Sequence, residues 1–350
     1  MKNIIKISAV NSKSNKLPEG ANPYIGKIDF DIRRKYVDGN LEKMYAFLHE
    51  AGKSGTDLVC TCEDFSMSTD PYMRYMEDPQ LFSSLAEEIP GPLRERIREI
   101  AEQYGMLVAA NFYEKDGNKI FNTSVLIGRD GKIIGKYRKI HLPVCEKWMV
   151  TPGDEFCVFE TDIGRIGFAV CYDIVFGEHC RSLALNGADI IIHPTAGWGV
   201  SGVSSSDLGE ALIRVRAAEN AVYMVVSTNN TYGGIGKSCI VDNNGEIIAK
   251  AAGEDEGIAT AEFTADFDIV REEIFDTFFS GISSIKARQT LERLPGLYKL
   301  IAEDESPLYE RYKDMKLLLD QENVNEKSRQ WIEHVRADME NRPSSLKYHW

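Results

Sequence analysis

Apolar and polar positions along the chain switch between two periods. Short runs with strand character occur at Ile4–Val10, Asp57–Cys62, Met106–Asn111, Thr123–Ile127, Lys132–Tyr137, Arg165–Cys171, Asp189–His193, Tyr223–Thr228, Lys237–Val241, Glu246–Lys250 and Gly257–Phe263. Between them lie stripes of helical period. Leu41, Met44, Leu48 and Ala51 form one, with Asn40 as the expected N-cap. Leu93, Ile97, Ile100 and Tyr104 form a second, opened by Pro92 and stopped by Gly105. Leu208, Ala211, Leu212, Val215 and Ala218 form a third. Asp-Gly or Asn-Gly pairs at 116–117, 130–131 and 244–245 fall between strand-like runs and predict hairpin turns. Strands and helices mixed with hairpins predict α/β layers with a partly antiparallel sheet.

Beyond about residue 265 the strand signal stops. Charged helical stripes replace it: Leu308, Tyr312, Met315 and Leu319 behind Ser306-Pro307, then Trp331, Val335 and Met339. Such stripes need an apolar surface to cover, on this chain or on a second subunit.

The composition narrows the function classes. Hydrophobic residues make up 43% of the 350, which excludes a disordered chain. The formal charge is −13, and with no basic cluster it argues against nucleic acid as a partner. No apolar run reaches the roughly 18–20 residues of a membrane span. Met1–Val10 carries Lys6 and no apolar stretch of signal-peptide length, so a cytoplasmic location is expected. The seven cysteines form neither a CxxC pair nor a zinc-finger spacing. They are expected to be reduced thiols, most of them small apolar filler.

One cysteine has a special setting. Arg165–Val170 reads as a buried strand, Tyr172–Phe176 as a turn, Glu178–Asn186 as a helix and Asp189–His193 as the next strand. Cys171 therefore ends the first strand of a βαβ unit, where ligand sites of α/β sheets gather. Spacing alone leaves both core filler and nucleophile open. A thiol with an ordinary pKa of roughly 8.5 needs a base and a positive neighbour. His141 and His179 could supply a papain-like base, although His141 also suits a structural role. A carboxylate and a lysine could serve instead: Glu63 directly follows one strand and Lys139 another.

The words around these residues resemble those of the carbon–nitrogen hydrolase (nitrilase) superfamily. They are DLVCTCEDF around Glu63, GKYRKIHLPVCE around Lys139, GFAVCYDIVFGE around Cys171, HPTAGW at 193–198 and RVRAAENAVYMVVSTN at 214–229. The resemblance covers most of residues 1–275 and implies an αββα sandwich, two sheets face to face with helices outside. It divides the chain into a hydrolase domain, 1–275, and a helical C-terminal extension, 276–350, expected between subunits of a homodimer or higher homo-oligomer. It implies Cys171 as nucleophile, Glu63 as general base and acid, and Lys139 as the cation for the developing oxyanion. Glu146 would position substrate or Lys139. The backbone N–H of Tyr172 would be a second oxyanion donor, and Trp148 and Trp198 pocket walls. No metal and no organic cofactor is implied. Cys62, Val175 and Gly177 depart from the family's more usual residues, which leaves the substrate open. Tyr172-Asp173 resembles the amidase and carbamoylase branches, where nitrilases carry Trp-Glu.

Three functions are weighed. The first is hydrolysis of a small linear amide or N-carbamoyl compound with release of ammonia, nitrile hydrolysis being its variant. The second is acyl transfer on the same scaffold. The third is a catalytically silent binding or scaffold protein.

Overall fold

A computed structural model of the chain describes residues 4–15, 30–66, 83–89, 91–147, 149–196, 206–229, 237–252, 256–267, 284–302, 306–308 and 310. Twelve strands among these residues form two six-stranded sheets. The first holds β1 (Ile4–Asn11), β2 (Leu58–Cys60), β3 (Leu107–Asp116), β4 (Lys119–Ile127), β5 (Ile133–Arg138) and β12 (Gly257–Thr264), in the order β12-β1-β2-β3-β4-β5. The second holds β6 (Val158–Thr161), β7 (Gly164–Phe168), β8 (Ile190–Thr195), β9 (Tyr223–Thr228), β10 (Cys239–Val241) and β11 (Ile247–Lys250), in the order β11-β10-β9-β8-β7-β6. Parallel pairs sit at the centre of each sheet, β1–β2–β3 and β7–β8–β9, and antiparallel pairs at the flanks.

Alternating side chains give each sheet two apolar faces. Ile5, Ile7, Leu58, Leu107 and Tyr137 of the first sheet meet Ile166, Phe168, Ile190, Ile192 and Val225 of the second in one buried cluster. On the outer face of the first sheet, Val59, Val108 and Val125 pack against Met44, Leu48, Ile97 and Ile100 of α1 (Phe30–Lys53) and α2 (Pro92–Tyr104). On the outer face of the second, Ile191, Met224 and Val241 pack against Cys180, Leu183, Ile213 and Ala217 of α4 (Gly177–Leu185) and α5 (Ser206–Asn220). A third, one-turn helix, α3 (Val144–Lys147), follows β5. This is the expected αββα sandwich.

All eleven predicted strands are present, and β6 is added to them. Helix α2 ends as predicted: Gly105 takes a left-handed φ of 59°, and its N–H reaches back to the last turn. Helix α1 differs from expectation. It begins ten residues before Asn40, which is buried inside it and is no cap. The Asn40 amide instead accepts from the Asn15 N–H at 2.7 Å and donates to the Ser66 carbonyl at 3.2 Å, tying two loops to the helix. In the C-terminal extension, α6 (Ile285–Leu291) is docked by Lys286, whose ammonium lies 2.7 Å from Asp189. A short α7 (Lys299–Ala302) follows. The stripes predicted over 312–319 and 331–339 lie outside the described residues.

Candidate active site

Strand ends from both sheets meet at one place. Glu63 comes three residues after β2, Lys139 directly after β5 and Cys171 three residues after β7. The first two belong to one sheet and the third to the other, so the site sits across the sandwich. Glu63 and Lys139 are buried to 2% and 1% exposure, and Glu146 to 0%. Buried charges persist only when paired. Here the Lys139 ammonium donates to Glu63 Oε1 at 2.8 Å and to Glu146 Oε2 at 2.7 Å. The other Glu63 oxygen accepts the N–H of Ala196, at the end of β8, at 3.0 Å. The Cys171 thiol lies within hydrogen-bonding reach of Glu63 and of Thr195.

Residues not singled out from the sequence complete the set. The Asn122 amide, on β4, donates to Glu63 Oε1 at 2.9 Å and to Glu146 Oε1 at 2.7 Å. Its own oxygen accepts from Asn111 at 2.9 Å, which fixes which way the amide points. The Tyr113 hydroxyl donates to Glu146 Oε1 at 3.0 Å. Glu146 therefore contacts Lys139, Asn122 and Tyr113, a position suited to holding Lys139. The available signal was polar residues, Asn111, Asn122 and Ser124, inside strands whose neighbours are apolar.

Asp173 is the other unassigned residue. It is fully buried in the 3-10 turn Cys171–Val175. Its Oδ2 accepts from the Tyr137 hydroxyl at 2.7 Å and from the Val170 N–H at 2.8 Å. Its Oδ1 accepts from the His141 N–H and the His141 ring, both at 2.9 Å. Those bonds brace a turn in which Cys171 has φ 46°, a left-handed conformation that a cysteine adopts only under constraint. Cys171 thus opens a strained turn between β7 and α4, a setting suited to a nucleophile. Arg216 of α5 supports the same turn from below, donating to the carbonyls of Ile174 and Val175 at 3.3 Å and pairing with Glu219 at 2.8 Å. Arg216, paired with Glu219, thereby lies against the turn that carries Cys171.

The electrostatics separate the groups. Burial pushes the Glu63 carboxyl up, but the adjacent Lys139 ammonium and hydrogen bonds outweigh it, and the net displacement is below the usual carboxylate range. Glu146 moves the opposite way, raised by burial and by the Glu63 charge. Burial, with the Glu63 charge beside it, pushes the Cys171 thiol up to about 12. At neutral pH the pair is thus a carboxylate facing a neutral thiol. Burial likewise lowers His193 to about 4, and its ring donates to the Ala169 carbonyl at 2.6 Å, a core role. Neither His141 nor His179 contacts the thiol in a papain-like pair. Both rings face Asp173. Tyr172 is partly exposed, with its ring edge-on to Phe176. Trp148 and Trp198 lie outside the described residues. Cys60 and Cys62 are buried filler, as expected.

Residues 31–268 match the sequence model of the family described as carbon–nitrogen hydrolase. Among curated proteins, the omega-amidase NIT2 of Xenopus tropicalis is 32% identical over 251 residues, 67% of this chain and 87% of that protein. A nitrilase of Pyrococcus abyssi is 34% identical over 231 residues, 64% of this chain and 83% of that one. Among solved structures, Saccharomyces cerevisiae Nit3, a member of branch 10 of the nitrilase superfamily, superposes with a TM-score of 0.60 at 27% identity, covering 81% of this chain and 95% of its own. An amidase from Nesterenkonia sp. AN1 shares the fold at a TM-score of 0.62 and 19% identity, covering 85% and 99% of the two chains.

Proposed function

Because the chain belongs to the carbon–nitrogen hydrolase family, we propose that it hydrolyses the C–N bond of a small linear amide, with Cys171 as nucleophile and an acyl-thioester as intermediate. The carrying observation is the buried contact set of Lys139 between Glu63 and Glu146, with the Cys171 thiol against Glu63. The omega-amidase relatives and the Tyr172-Asp173 pair favour an amide. An N-carbamoyl compound offers the same carbonyl.

The steps follow from the charge states. Glu63 takes the thiol proton as sulfur attacks the amide carbon, because the resting thiol is neutral. The resulting oxyanion is met by the Lys139 ammonium and the Tyr172 backbone N–H, where one such donor is typically worth about 10²–10³ in rate. Glu63 returns its proton to the nitrogen, and ammonia leaves. The thioester remains. Glu63 then deprotonates water, which attacks the thioester; the acid leaves, and the expelled Cys171 thiolate takes the proton back from Glu63. Glu146 and Asn122 hold Lys139 and Glu63 in place throughout. No step calls for a metal or an organic cofactor, and Trp148 and Trp198 are assigned to the pocket wall.

Ammonia release from a panel of short amides tests the reading. Cys171→Ala is expected to abolish it, and Glu63→Gln to reduce it by at least about 10²–10⁴. Either variant at full activity would contradict the roles. Nitrile hydrolysis is the second reading, favoured by the Pyrococcus abyssi relative, and a nitrile panel run in parallel decides between them. Hydroxamate formation outpacing hydrolysis would mark acyl transfer, and inactivity of the native chain on every substrate would favour a silent scaffold. The hydrolase domain is assigned to 1–275 and the extension, 276–350, to contact with a second copy of the chain in a cytoplasmic homo-oligomer. Among the described residues no helix is long and apolar enough to cross a membrane.

A further inference from the structure

Around the turn that carries Cys171, three side chains converge that the reaction above does not use as reactants. His141 follows β5, Asp173 lies in the 3-10 turn, and His179 is in the first turns of α4. His179 is fully buried. Its Nε2 lies 2.9 Å from the carbonyl oxygen of Phe168. A carbonyl only accepts, so Nε2 must carry a proton. The other ring nitrogen, Nδ1, has no hydrogen-bond partner and faces Asp173 Oδ1 at 3.7 Å. With the ring proton on Nε2, Nδ1 of the neutral imidazole presents a bare lone pair. A lone pair facing a carboxylate oxygen in a buried space is repulsive unless something positive lies between them.

The spacing fits such a cation. One ligand atom from each of His141, Asp173 and His179 lies within 4.8 Å of the other two. The two contacts to Asp173 Oδ1 are 2.9 Å from His141 and 3.7 Å from His179. Two ligand atoms about 2.1 Å from one tetrahedral zinc-like ion stand about 3.4 Å apart, midway between these values. Two imidazole nitrogens and one carboxylate oxygen are a donor set for zinc, cobalt or nickel, not for calcium or magnesium. Second contacts are already in place: the Phe168 carbonyl orients His179, and the Tyr137 hydroxyl and Val170 N–H hold the other Asp173 oxygen. His141 is partly exposed and gives the ion a way in.

We propose that His141, Asp173 and His179 bind one divalent transition-metal ion of the zinc type, in a site separate from the reactive Glu63, Lys139 and Cys171. Binding needs a tautomer change at His141: its Nδ1 proton leaves to solvent, Nε2 takes one up, and Nδ1 becomes a ligand. The ring's charge is unchanged. A fourth position stays open to water. The ion links the segment after β5, the nucleophile turn and α4, so it acts by holding these elements together and not as a reactant. This holds whether or not the amide reading is right, since it rests on different side chains.

Cobalt(II) added to the metal-stripped Cys171→Ala protein tests it, because that variant removes the partly exposed thiol at the start of the turn that holds Asp173. One equivalent is expected to give the visible d–d absorption of a tetrahedral nitrogen and oxygen site, without a thiolate charge-transfer band. Zinc at the same stoichiometry is expected to raise the melting temperature. His179→Gln should lose both effects. If that variant does not fold, His141→Gln, at a partly exposed position, is expected to lose them too. Absence of cobalt absorption and of any melting shift, a thiolate band, or the same binding in a folded histidine variant would overturn the proposal.

Discussion

At the scale of single residues, the reactivity comes from a division of charge. Glu63 is held ionised by Lys139, while Cys171 keeps its proton because burial and the neighbouring carboxylate oppose its loss. This sets the pH profile. Glu63 loses its function as pH falls through its depressed value, below the roughly 4.3 of an ordinary glutamate. The thiol, near 12, contributes no limb in the usual alkaline range. Measured kcat/KM should be flat from mildly acid to mildly alkaline pH. A rise through about pH 8.5, where a free thiol ionises, would contradict a carboxylate base acting on a neutral thiol. Glu63, Lys139 and Cys171 could be picked out in the sequence because each follows a strand in a recognisable word, and Glu146 because of its place after Lys139 in the word GKYRKIHLPVCE. Asn122 and Tyr113 were not, since a polar residue within a strand carries no mark of where its amide or hydroxyl points. Asp173 was visible in the CYD word, but its bracing of the turn depends on His141 and Tyr137 from a distant segment.

At the scale of elements, periodicity found the long features and missed the weak ones. Strand β6 is four residues at a sheet edge, all but Glu160 partly buried, and too short to show alternation. Helix α1 begins earlier than its apolar stripe, because Tyr36 and Val37 pack on a smaller, separate cluster with Tyr113 of β3, Ile120 of β4, Leu142 and Val150. Flank strands are tied by charge as well as by their ladders. Glu114, 2% exposed on β3, accepts from Arg138 and Lys136 of β5 and from Thr123 of β4. Burial pushes its carboxyl up, but those donors prevail and bring it to about 2. Its folded pKa lies below the unfolded value of roughly 4.3, so its stabilisation is fully present above that pH and is lost as pH falls towards 2. Glu114→Gln should therefore lower stability at neutral pH by on the order of 2–3 kcal/mol, measured by denaturant unfolding. The difference from the native chain should shrink as pH is lowered through that window. A difference that stays constant with pH would place the effect in packing.

At the scale of the whole molecule, the two sheets bring three strand ends from distant parts of the chain to one place. The layers were legible because strands with two apolar faces need helices outside them, and the amphipathic stripes supply these. What the extension covers was not legible, because a stripe does not name its partner. Leu291, Leu294, Leu297, Leu300 and Ile301 are each at least 60% exposed. Beside them lies a groove of about 670 Å³ lined by Leu185 and Arg181 of α4 and by Tyr298 and Ile301. An apolar surface of this kind marks a contact site. Truncation after residue 290, which removes these residues, should lower the mass seen by light scattering if a second copy covers them, and an unchanged mass would return the extension to its own subunit. The convergence of Glu63, Lys139 and Cys171 is the claim on which the chemistry stands. It is tested most directly by mass spectrometry of the enzyme quenched during turnover of a mixed amide panel. The peptide containing Cys171 should carry a mass increase equal to one acyl group, and Cys171→Ala should carry none. Turnover with an acyl group on another residue, or with no adduct on Cys171 of the native protein, would contradict it.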